Sequence, residues 1–432
     1  MTIMILFGAG SSVPFGIPGM AEFTLRFLEE NRDLSAFIRR IRKSIMKSEE
    51  MIGVSFPFDL ETLLSVLNDL SGITDKKPIS LPTASLLLAE GKKFKAAQKE
   101  YGEKALQALD RLVRFIFDVC MKPVKKGQKE GNFRHLNNFY GPLMTVLNRR
   151  PLEVIQSPIK KIYSTNWDLC FKTWADYVNL PINDGTVLDD QSLPVFSVKK
   201  FDSESRGFIY VPLHGSLDLI KIVRPKGAGA YEDILKIPDP IRYFEDKPEN
   251  IRSIFMIYPL EAVGYEESVK SPYLDMLNNL RETLRHESTV FIIGYSLRDP
   301  TIGSIFEEVI AEKIRQGSIS PLSQDLDSRK KEIAQHQFKI IVMNPNPEEL
   351  MENLKKSYTN LLQTFVPVRI RFPQTSDSNF SEKYEAVLRK LIVDLQIIGY
   401  LNESHLRSIK EVLWREYKIS IPLPSKGISV TP

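Results

Sequence analysis

The fold of this chain is decided by residues 3–12, which read IMILFGAGSS. Five apolar residues are followed at once by a glycine-rich turn, a pattern typical of a buried strand that ends in a tight loop. Other short, mainly apolar runs also stop at Ser, His, Gly or Asn: Ile159–Tyr163, which includes two lysines, Phe208–Leu213, Val290–Ile293, and Phe338–Met343, which includes one lysine. Runs without polar alternation predict strands that are buried on both faces, as in a parallel sheet covered by helices.

Helical stretches separate these runs. One is Tyr273–Arg285, where a predicted apolar stripe consists of Leu274, Leu277, Leu280 and Leu284. Strands that alternate with helices predict an α/β fold with a doubly wound, Rossmann-like parallel sheet. In such sheets ligands bind beyond the carboxyl ends of the strands, so the polar residues that end the apolar runs are the first candidates for a site.

Two regions depart from this alternation. Residues from about 71 to 150 have helical spacing, and we expect a helical insertion with an exposed basic loop at Lys122–Lys129. We expect residues 1–365 to form the main domain and residues 366–432 to form a small C-terminal extension, a candidate interaction module. Its expected elements are a strand and two helices: Val368–Phe372, Glu382–Ile397 and Glu403–Tyr417.

The composition excludes several classes of protein. The chain has 432 residues, with 58 Lys and Arg and 54 Asp and Glu, so a formal net charge of +4 gives no reason to expect direct nucleic-acid binding. Hydrophobic residues make up 43% of the chain, which excludes a disordered polypeptide. No apolar run reaches the roughly 18 residues of a transmembrane helix, so no membrane contact is expected. Cys120 and Cys170 are too few for a four-cysteine zinc site and predict two buried thiols in a cytoplasmic protein.

The first candidate motif follows the first strand. Glycines let backbone N–H groups approach a phosphate, and a helix N-terminus favours negative charge. The motif differs from the usual dinucleotide fingerprint because Val13 stands where its last glycine is expected. The alternative is an ordinary strand-to-helix turn. The candidate phosphate-binding residues are Gly8, Ala9, Gly10 and Ser11, followed by Gly16, Ile17 and Pro18.

Two further motifs carry chemistry. Asn166 and Asp168 follow the second apolar run and can face one pocket, although either side chain is also suited to cap the next helix. His214 ends the third run, where a histidine can act as a general base near neutral pH, and Gly215 leaves room for a ligand beside it.

A fourth turn follows the run Val290–Ile293. Gly294 and Ser296 form another strand-end turn before a helix, and Asp299 is either a site residue or the N-cap of that helix.

The order and spacing of these motifs resemble the sirtuin family over about residues 1–365. Gly8-Ala9-Gly10 with Gly16-Ile17-Pro18 is similar to the first sirtuin motif, and Asn166-Trp167-Asp168 resembles its Asn-x-Asp motif. His214-Gly215 resembles the catalytic His-Gly pair. Gly294 and Ser296 resemble the Gly-x-Ser turn beside NAD, and Asn344 resembles the late Asn near the adenosine ribose.

The departures from sirtuin deacylases are also informative. Met20 and Ala21 replace the usual Phe-Arg pair, and no cysteine lies between His214 and Gly294, where deacylases carry a four-cysteine zinc module. The turn at residues 294–299, GYSLRD, is instead similar to the sirtuin-like domains of bacterial anti-phage systems. That resemblance implies an enzyme that hydrolyses NAD⁺, assembles as a homo-oligomer and works with a partner ATPase or helicase (HerA type) or an Argonaute-type protein.

The resemblance also implies roles for the candidate residues. Asn166 would position the ribose or the attacking water, Asp168 would contact the nicotinamide carboxamide, and His214 would act as a base. NAD⁺ is the expected substrate and no metal is expected. The expected pyrophosphate-binding residues are Gly8, Ala9, Gly10 and Ser11, and the expected adenosine-ribose residues are Gly294, Ser296 and Asn344. Ile17, Pro18 and Asp299 are further expected NAD⁺-binding residues.

Two alternatives remain open at this point. One is another NAD-consuming activity, a protein deacylase or an ADP-ribosyltransferase. The other is a non-catalytic nucleotide-binding scaffold that recruits a partner ATPase or nuclease. An intact pair of Asn166 and His214 favours an enzyme over the scaffold, because a scaffold needs neither side chain.

Overall fold

A computed structural model gives the structure of the chain. It describes residues 3–52, 58–71, 79–147, 159–202, 207–226, 229–257, 271–287, 289–297, 299–315, 338–345, 365–375 and 377–397, with residues 406–407, 410–411 and 414.

These residues form strands and helices with the following bounds. The strands are β1 Ile3–Phe7, β2 Ile159–Ser164, β3 Ile182–Asn183, β4 Thr186–Leu188, β5 Pro194–Phe196, β6 Phe208–Pro212, β7 Gly215–Lys226, β8 Gly229–Lys236, β9 Ile254–Met256, β10 Thr289–Ile293, β11 Lys339–Asn344 and β12 Phe365–Arg369. The helices are α1 Met20–Glu30, α2 Arg32–Ile52, α3 Leu60–Leu70, α4 Leu81–Glu90, α5 Phe94–Glu130, α6 Arg134–Leu147, α7 Cys170–Tyr177, α8 Pro240–Asp246, α9 Tyr273–His286, α10 Pro300–Arg315 and α11 Phe380–Ile397.

The main sheet is parallel and doubly wound. In the described part of the chain it has seven strands in the order β12-β11-β10-β1-β2-β6-β3. Each neighbouring pair in it is parallel. The chain winds outward from β1 through β2 and later returns to the other side of β1 at β10. The direction of winding therefore reverses at β1 and β10, which is where a ligand crevice is expected. The predicted α/β, Rossmann-like fold is confirmed.

Both faces of this sheet are buried. Every residue of β1 and β10 is buried, which explains why their sequences lack polar alternation. Ile3, Ile5 and Phe7 point into one core with helices α1–α7 and α11. Met4 and Leu6 point into the opposite core with α9 and α10.

The helical layer differs from the sequence expectation in two ways. Helices begin at Met20, well before residue 71, because α1, α2 and α3 belong to the same layer as α4–α6. The predicted basic loop at Lys122–Lys129 is wrong, since these residues lie within the 37-residue helix α5. Pro123 and Gly127 are buried inside that helix. An added Cβ at Gly127 would lie 2.1 Å from a ring carbon of Phe133, so this glycine serves packing rather than a turn.

A second, smaller sheet is formed by strands on both sides of β6 in the sequence: β4 and β5 precede β6, and β7, β8 and β9 follow it. It is antiparallel, with the order β4-β5-β8-β7-β9 among the described residues. Its strands β4 and β5 have only three residues each, too few to give a period-two signal.

Helix α9 matches its predicted position but not its whole predicted stripe. Leu277, Leu280 and Leu284 are buried as expected, whereas Leu274 is 38% exposed. Met276 lies on the buried face in its place.

The C-terminal region joins the main body. Strand β12 pairs with β11 along the edge of the main sheet, so the expected boundary at residue 365 falls inside a strand. In α11, Tyr384 is fully buried and donates a hydrogen bond to the backbone oxygen of Phe139 in α6. The helix expected at Glu403–Tyr417 lies mostly outside the described residues.

The two cysteines are buried thiols, as predicted. Burial, followed by the nearby negative charge of Asp168, raises the pKa of both Cys120 and Cys170. Over the described ranges, no helix combines the length and apolar character needed to cross a bilayer.

Candidate active site

The carboxyl ends of four strands meet at one edge of the main sheet. Phe7 at the end of β1 pairs with Ile293 on one side and with Ser164 on the other, and Ser164 pairs with Pro212. Backbone hydrogen bonds continue this alignment beyond the strands: Thr165 N–H donates to Phe7 O at 3.0 Å, and Leu213 N–H donates to Ser164 O at 2.8 Å. The motifs that follow β1, β2, β6 and β10 are therefore neighbours, as their positions in the sequence predict.

The first glycine motif packs against the turn after β10. The N–H of Gly8 donates to Ile293 O at 2.9 Å and that of Gly10 donates to Gly294 O at 2.8 Å. A Cβ at Gly8 would lie 2.5 Å from the Cα of Tyr295. Gly294 has a φ of +65°, and a Cβ there would lie 2.3 Å from Ser11 N. These glycines thus permit two loops to touch, and the N–H groups of Gly8 and Gly10 are engaged with protein rather than directed at a phosphate.

A chain of polar side chains links this loop to the turn after β2. The Nδ2 of Asn166 donates to the hydroxyl oxygens of Ser11 at 3.1 Å and Ser12 at 2.9 Å. Ser12 Oγ donates to Asp168 Oδ2 at 2.6 Å, and Asp168 Oδ1 accepts from the Cys170 N–H at 2.9 Å. The Oδ1 of Asn166 is buried and has no hydrogen-bond partner among the described residues.

Asp168 lies one residue before Leu169, the N-cap of α7, and accepts from the first N–H of that helix without being the N-cap itself. It is 6% exposed and both of its carboxylate oxygens accept hydrogen bonds from protein. The expected contact with a nicotinamide carboxamide would require one of these oxygens to be shared with the ligand.

His214 forms a buried pair with Asp299. Its Nε2 lies 2.9 Å from Asp299 Oδ2, with the two residues 2% and 3% exposed. Asp299 Oδ1 accepts from the N–H groups of Thr301 at 2.8 Å and Ile302 at 3.2 Å, so the same side chain caps α10. Because a carboxylate only accepts hydrogen bonds, Nε2 of a neutral His214 carries the proton and Nδ1 carries the lone pair. The pair has the geometry of a base held by a carboxylate.

A small cleft adjoins this pair. Its volume is about 70 Å³, and the first turns of the helical layer close part of it. Tyr295 has a buried hydroxyl without a hydrogen-bond partner in the described part of the structure. Burial, followed by the charge of Asp299, raises the pKa of Tyr295 well above its ordinary value. The described lining residues are Ala9, Met20, Asp59, Glu61, Thr165, His214, Gly294, Tyr295, Ser296 and Asp299.

The remaining candidate residues lie in different environments. Ile17 is 5% exposed and packs into the core, and Pro18 beside it is buried. Asn344 ends β11 at the same edge of the sheet, where its backbone oxygen accepts from Ile370 N at 2.9 Å. Gly215 makes room for β9 rather than for a ligand, since a Cβ there would lie 1.9 Å from Phe255 O.

Sequence reasoning missed several residues of this region. Ser12 is not among the predicted site residues, although it carries the second hydroxyl group of the glycine loop. Asp59 and Glu61 come from the start of α3, where Asp59 accepts from Thr62 N at 3.1 Å as an N-cap. In the sequence, these two carboxylates are recognisable only as part of a helix start, and a helix start does not predict that they face the cleft.

The sequence profile of a known family matches part of the chain. The SIR2-like domain family matches residues 160–341, a segment that includes β2, β6 and β10 with the motifs that follow them. The glycine loop after β1 lies outside the match. A comparison with curated proteins finds no match. SIR2-like domains generally belong to NAD-dependent enzymes. The chain therefore contains a sirtuin-like domain.

Proposed function

We propose that the protein is an NAD⁺ glycohydrolase, which cleaves NAD⁺ to nicotinamide and ADP-ribose. The observation that carries the proposal is the buried pair of His214 and Asp299, 2.9 Å apart, on the same sheet edge as the unpartnered amide oxygen of Asn166. The SIR2-like match over residues 160–341 supports NAD⁺ as the substrate.

Cleavage of the bond between the ribose and nicotinamide requires little acid catalysis from the protein. The bond between C1′ of the ribose and the nicotinamide nitrogen breaks, and its electron pair leaves with neutral nicotinamide. Water then forms a bond to the oxocarbenium-like C1′ and loses a proton. Nδ1 of His214 accepts that proton, or first accepts one from a ribose hydroxyl, while Asp299 holds the ring and stabilises its protonated form.

The carboxylates at the cleft suit a substrate that develops positive charge. Asp59, Glu61 and Asp299 contribute to its described lining. Negative charge near C1′ favours an oxocarbenium-like transition state over the ground state, in which the positive charge lies on the nicotinamide ring.

A hydrolase accounts for the chain better than a protein deacylase does. The segment between His214 and Gly294 has no cysteine, and it contributes strands β7, β8 and β9 of the antiparallel sheet where deacylases carry a four-cysteine zinc module. We therefore place water, rather than an acyl-lysine peptide, as the nucleophile.

We further propose that the enzyme depletes NAD⁺ in a bacterial anti-phage system and is activated by self-assembly or by a partner ATPase or Argonaute-type protein. A cleft of about 70 Å³ supports such control, because ligand sites for molecules of this size are roughly 300 Å³ or more.

Product analysis in ¹⁸O-labelled water tests the reaction. The proposal predicts equimolar nicotinamide and ADP-ribose, with one ¹⁸O atom at C1′ of the ADP-ribose. Acyl-ADP-ribose formed only with an acetylated peptide would show a deacylase. A cyclic product without ¹⁸O would show intramolecular transfer instead of hydrolysis.

A further inference from the structure

The hydrogen bonds around Asn166 decide which way its side-chain amide points. Its nitrogen and oxygen are similar in size, so only the partners distinguish the two orientations. Both neighbours of Nδ2 are hydroxyl oxygens, those of Ser11 and Ser12, which are 0% and 1% exposed. A hydroxyl group can donate one hydrogen bond and can also accept, so the orientation of the Asn166 amide depends on the acceptor to which each serine donates.

Each serine donates its hydroxyl proton to an acceptor other than Asn166. Ser12 donates to Asp168 at 2.6 Å, and Ser11 donates to the backbone oxygen of Gly8 at 2.8 Å. Neither a carboxylate nor a carbonyl can return a proton. Both hydroxyl oxygens can therefore only accept hydrogen bonds from Asn166, so its NH₂ group is the one that faces them.

Asp168 is fixed in turn by the backbone. Its Oδ1 accepts from the Cys170 N–H at 2.9 Å, which leaves Oδ2 for Ser12. The direction of donation thus runs from Asn166 to Ser12 to Asp168, through groups that are shielded from water. Its consequence is a buried Oδ1 on Asn166 that has no donor among the described residues.

We propose that Ser12 and Asp168 form a polarity relay, a pair of positioning residues that keeps the oxygen of Asn166 available to a substrate. An oxygen in this position accepts a hydrogen bond from a hydroxyl group, either a ribose hydroxyl or the attacking water. The relay replaces the direct nicotinamide contact expected for Asp168. The identity of the ligand rests on the proposed function, whereas the direction of the hydrogen bonds does not.

The substitution Asp168→Asn tests the relay because it reverses the relay without changing its size. The Cys170 N–H still requires an acceptor, so the new amide keeps its oxygen there and turns its nitrogen toward Ser12. Ser12 then accepts from the new amide and turns its own proton toward Asn166, so that only Ser11 still favours the NH₂ group and the oxygen of Asn166 is no longer held toward the substrate. We expect NAD⁺ turnover to fall about 100-fold or more, the effect of removing one well-placed hydrogen bond at a reacting centre.

The matched control is Asp239→Asn. Asp239 also accepts from a backbone N–H at the start of a helix, the Arg242 N–H at 3.1 Å in α8. We expect its turnover to equal that of the parent protein.

A second substitution distinguishes the relay from a purely structural role. In the Asp168→Asn background, Asn166→Asp supplies an oxygen that accepts the reversed proton of Ser12 and leaves a second oxygen for the substrate. We expect turnover at least tenfold above that of Asp168→Asn alone. Loss of turnover with no recovery in the double variant would overturn the relay, and so would full turnover in Asp168→Asn.

ADP-ribose titration separates the two hydroxyl sources. If Asn166 binds a ribose hydroxyl, Asp168→Asn weakens ADP-ribose binding as well as turnover. If it binds the attacking water, turnover falls while ADP-ribose affinity stays within twofold of the parent. Either result supports the relay.

Proton exchange of the Asn166 side-chain amide tests the relay without any activity. In protein labelled with ¹⁵N-asparagine, the signal is identified by its loss in Asn166→Asp. The relay predicts slow solvent exchange in the parent protein and exchange at least tenfold faster in Asp168→Asn. Equal exchange rates would overturn the relay even in an active enzyme. A parent protein that is inert toward NAD⁺ but shows this change would overturn only the proposed function.

Discussion

At the scale of single residues, Asp299 performs two tasks with its two oxygens. Oδ1 caps α10 by accepting from Thr301 and Ile302, while Oδ2 holds Nε2 of His214. The sequence position of Asp299 indicates only the cap. Since 85 residues separate it from His214, the pair exists only because β6 and the turn after β10 end at the same edge of the sheet.

This double role predicts the effect of Asp299→Asn. The new amide keeps its oxygen on the helix N–H groups, because Asn is as good an N-cap as Asp. Its nitrogen then faces Nε2 of His214, which must accept, so the proton moves to Nδ1 and the base is lost. We expect NAD⁺ turnover to fall about 10²- to 10⁴-fold while the melting temperature stays close to that of the parent. A variant that folds normally and keeps full turnover would contradict the assignment of His214 as the base.

The sequence singled out some candidate site residues and not others, for a physical reason. Asn166 and His214 were singled out because each lies just beyond the end of a predicted strand. Ser12, Glu61 and Tyr295 were not, because their placement depends on how loops and α3 pack against the sheet, which leaves no local pattern. Gly8 and Gly10 were singled out for phosphate approach, whereas their close contact with the turn at Gly294 explains why these positions are glycine.

At the scale of elements, a buried ionic network ties α7 to the smaller sheet. Lys172 of α7 lies 3.2 Å from Asp184 and also bonds Asp218 of β7, and all three side chains are less than a tenth exposed. Lys236 of β8 binds Asp184 at 2.5 Å. The network has two positive and two negative members, so its charges are compensated within the protein interior.

The network predicts a pH-dependent contribution to stability. Although burial opposes it, Lys172 and Lys236 hold the pKa of Asp184 below its ordinary value. A lowered folded-state pKa means that the contribution is complete above the unfolded pKa of about 4 and disappears as the pH falls through the folded pKa. Asp184→Asn should cost about 3 kcal/mol at pH 7, the lower end of the range for breaking a buried pair.

Urea unfolding at several pH values measures this effect. The difference between the parent and Asp184→Asn should narrow steadily as the pH falls from about 5 to about 2. Asp33→Asn is the control, since Asp33 pairs with Arg111 at the surface and is 60% exposed. A difference for Asp184→Asn that is independent of pH would contradict the ionic origin of the contribution.

The elements show which sequence signals are reliable. Continuous apolar runs predicted the central strands because a strand buried on both faces has no polar alternation. The segment Lys122–Lys129 was predicted as a loop because Pro and Gly usually interrupt helices. In the structure Pro123 and Gly127 are buried within α5, and Gly127 packs against the ring of Phe133. In the antiparallel sheet, β4 and β5 have three residues each and give no periodic signal. Strands β7 and β8 have 12 and 8 residues, and the sequence analysis does not predict them.

At the scale of the whole molecule, the helical layer limits access to the site. Met20 at the start of α1, and Asp59 and Glu61 at the start of α3, contribute to the lining of a cleft of about 70 Å³. A dinucleotide needs several times that volume, so binding requires these helix ends to move away from the sheet.

The closed cleft predicts that activity depends on assembly. Specific activity should rise with protein concentration, or on addition of a partner, because contacts made by the helical layer can then favour the open arrangement. Turnover measured from nanomolar to micromolar protein, with molecular mass determined at each point, checks this. Full specific activity in a dilute monomer would show that the cleft opens without assembly.

We propose that His214 and Asn166 belong to an NAD⁺-cleaving site, and the decisive experiment is to measure NAD⁺ consumption and identify the products. The parent protein should be measured at high concentration beside His214→Ala, Asn166→Ala and the control His286→Ala, whose side chain is 82% exposed on α9. Nicotinamide and ADP-ribose should form from the parent and from His286→Ala, and NAD⁺ consumption should fall at least 100-fold in the two site variants. Equal NAD⁺ consumption by all four proteins would contradict the assignment of His214 and Asn166 to the site.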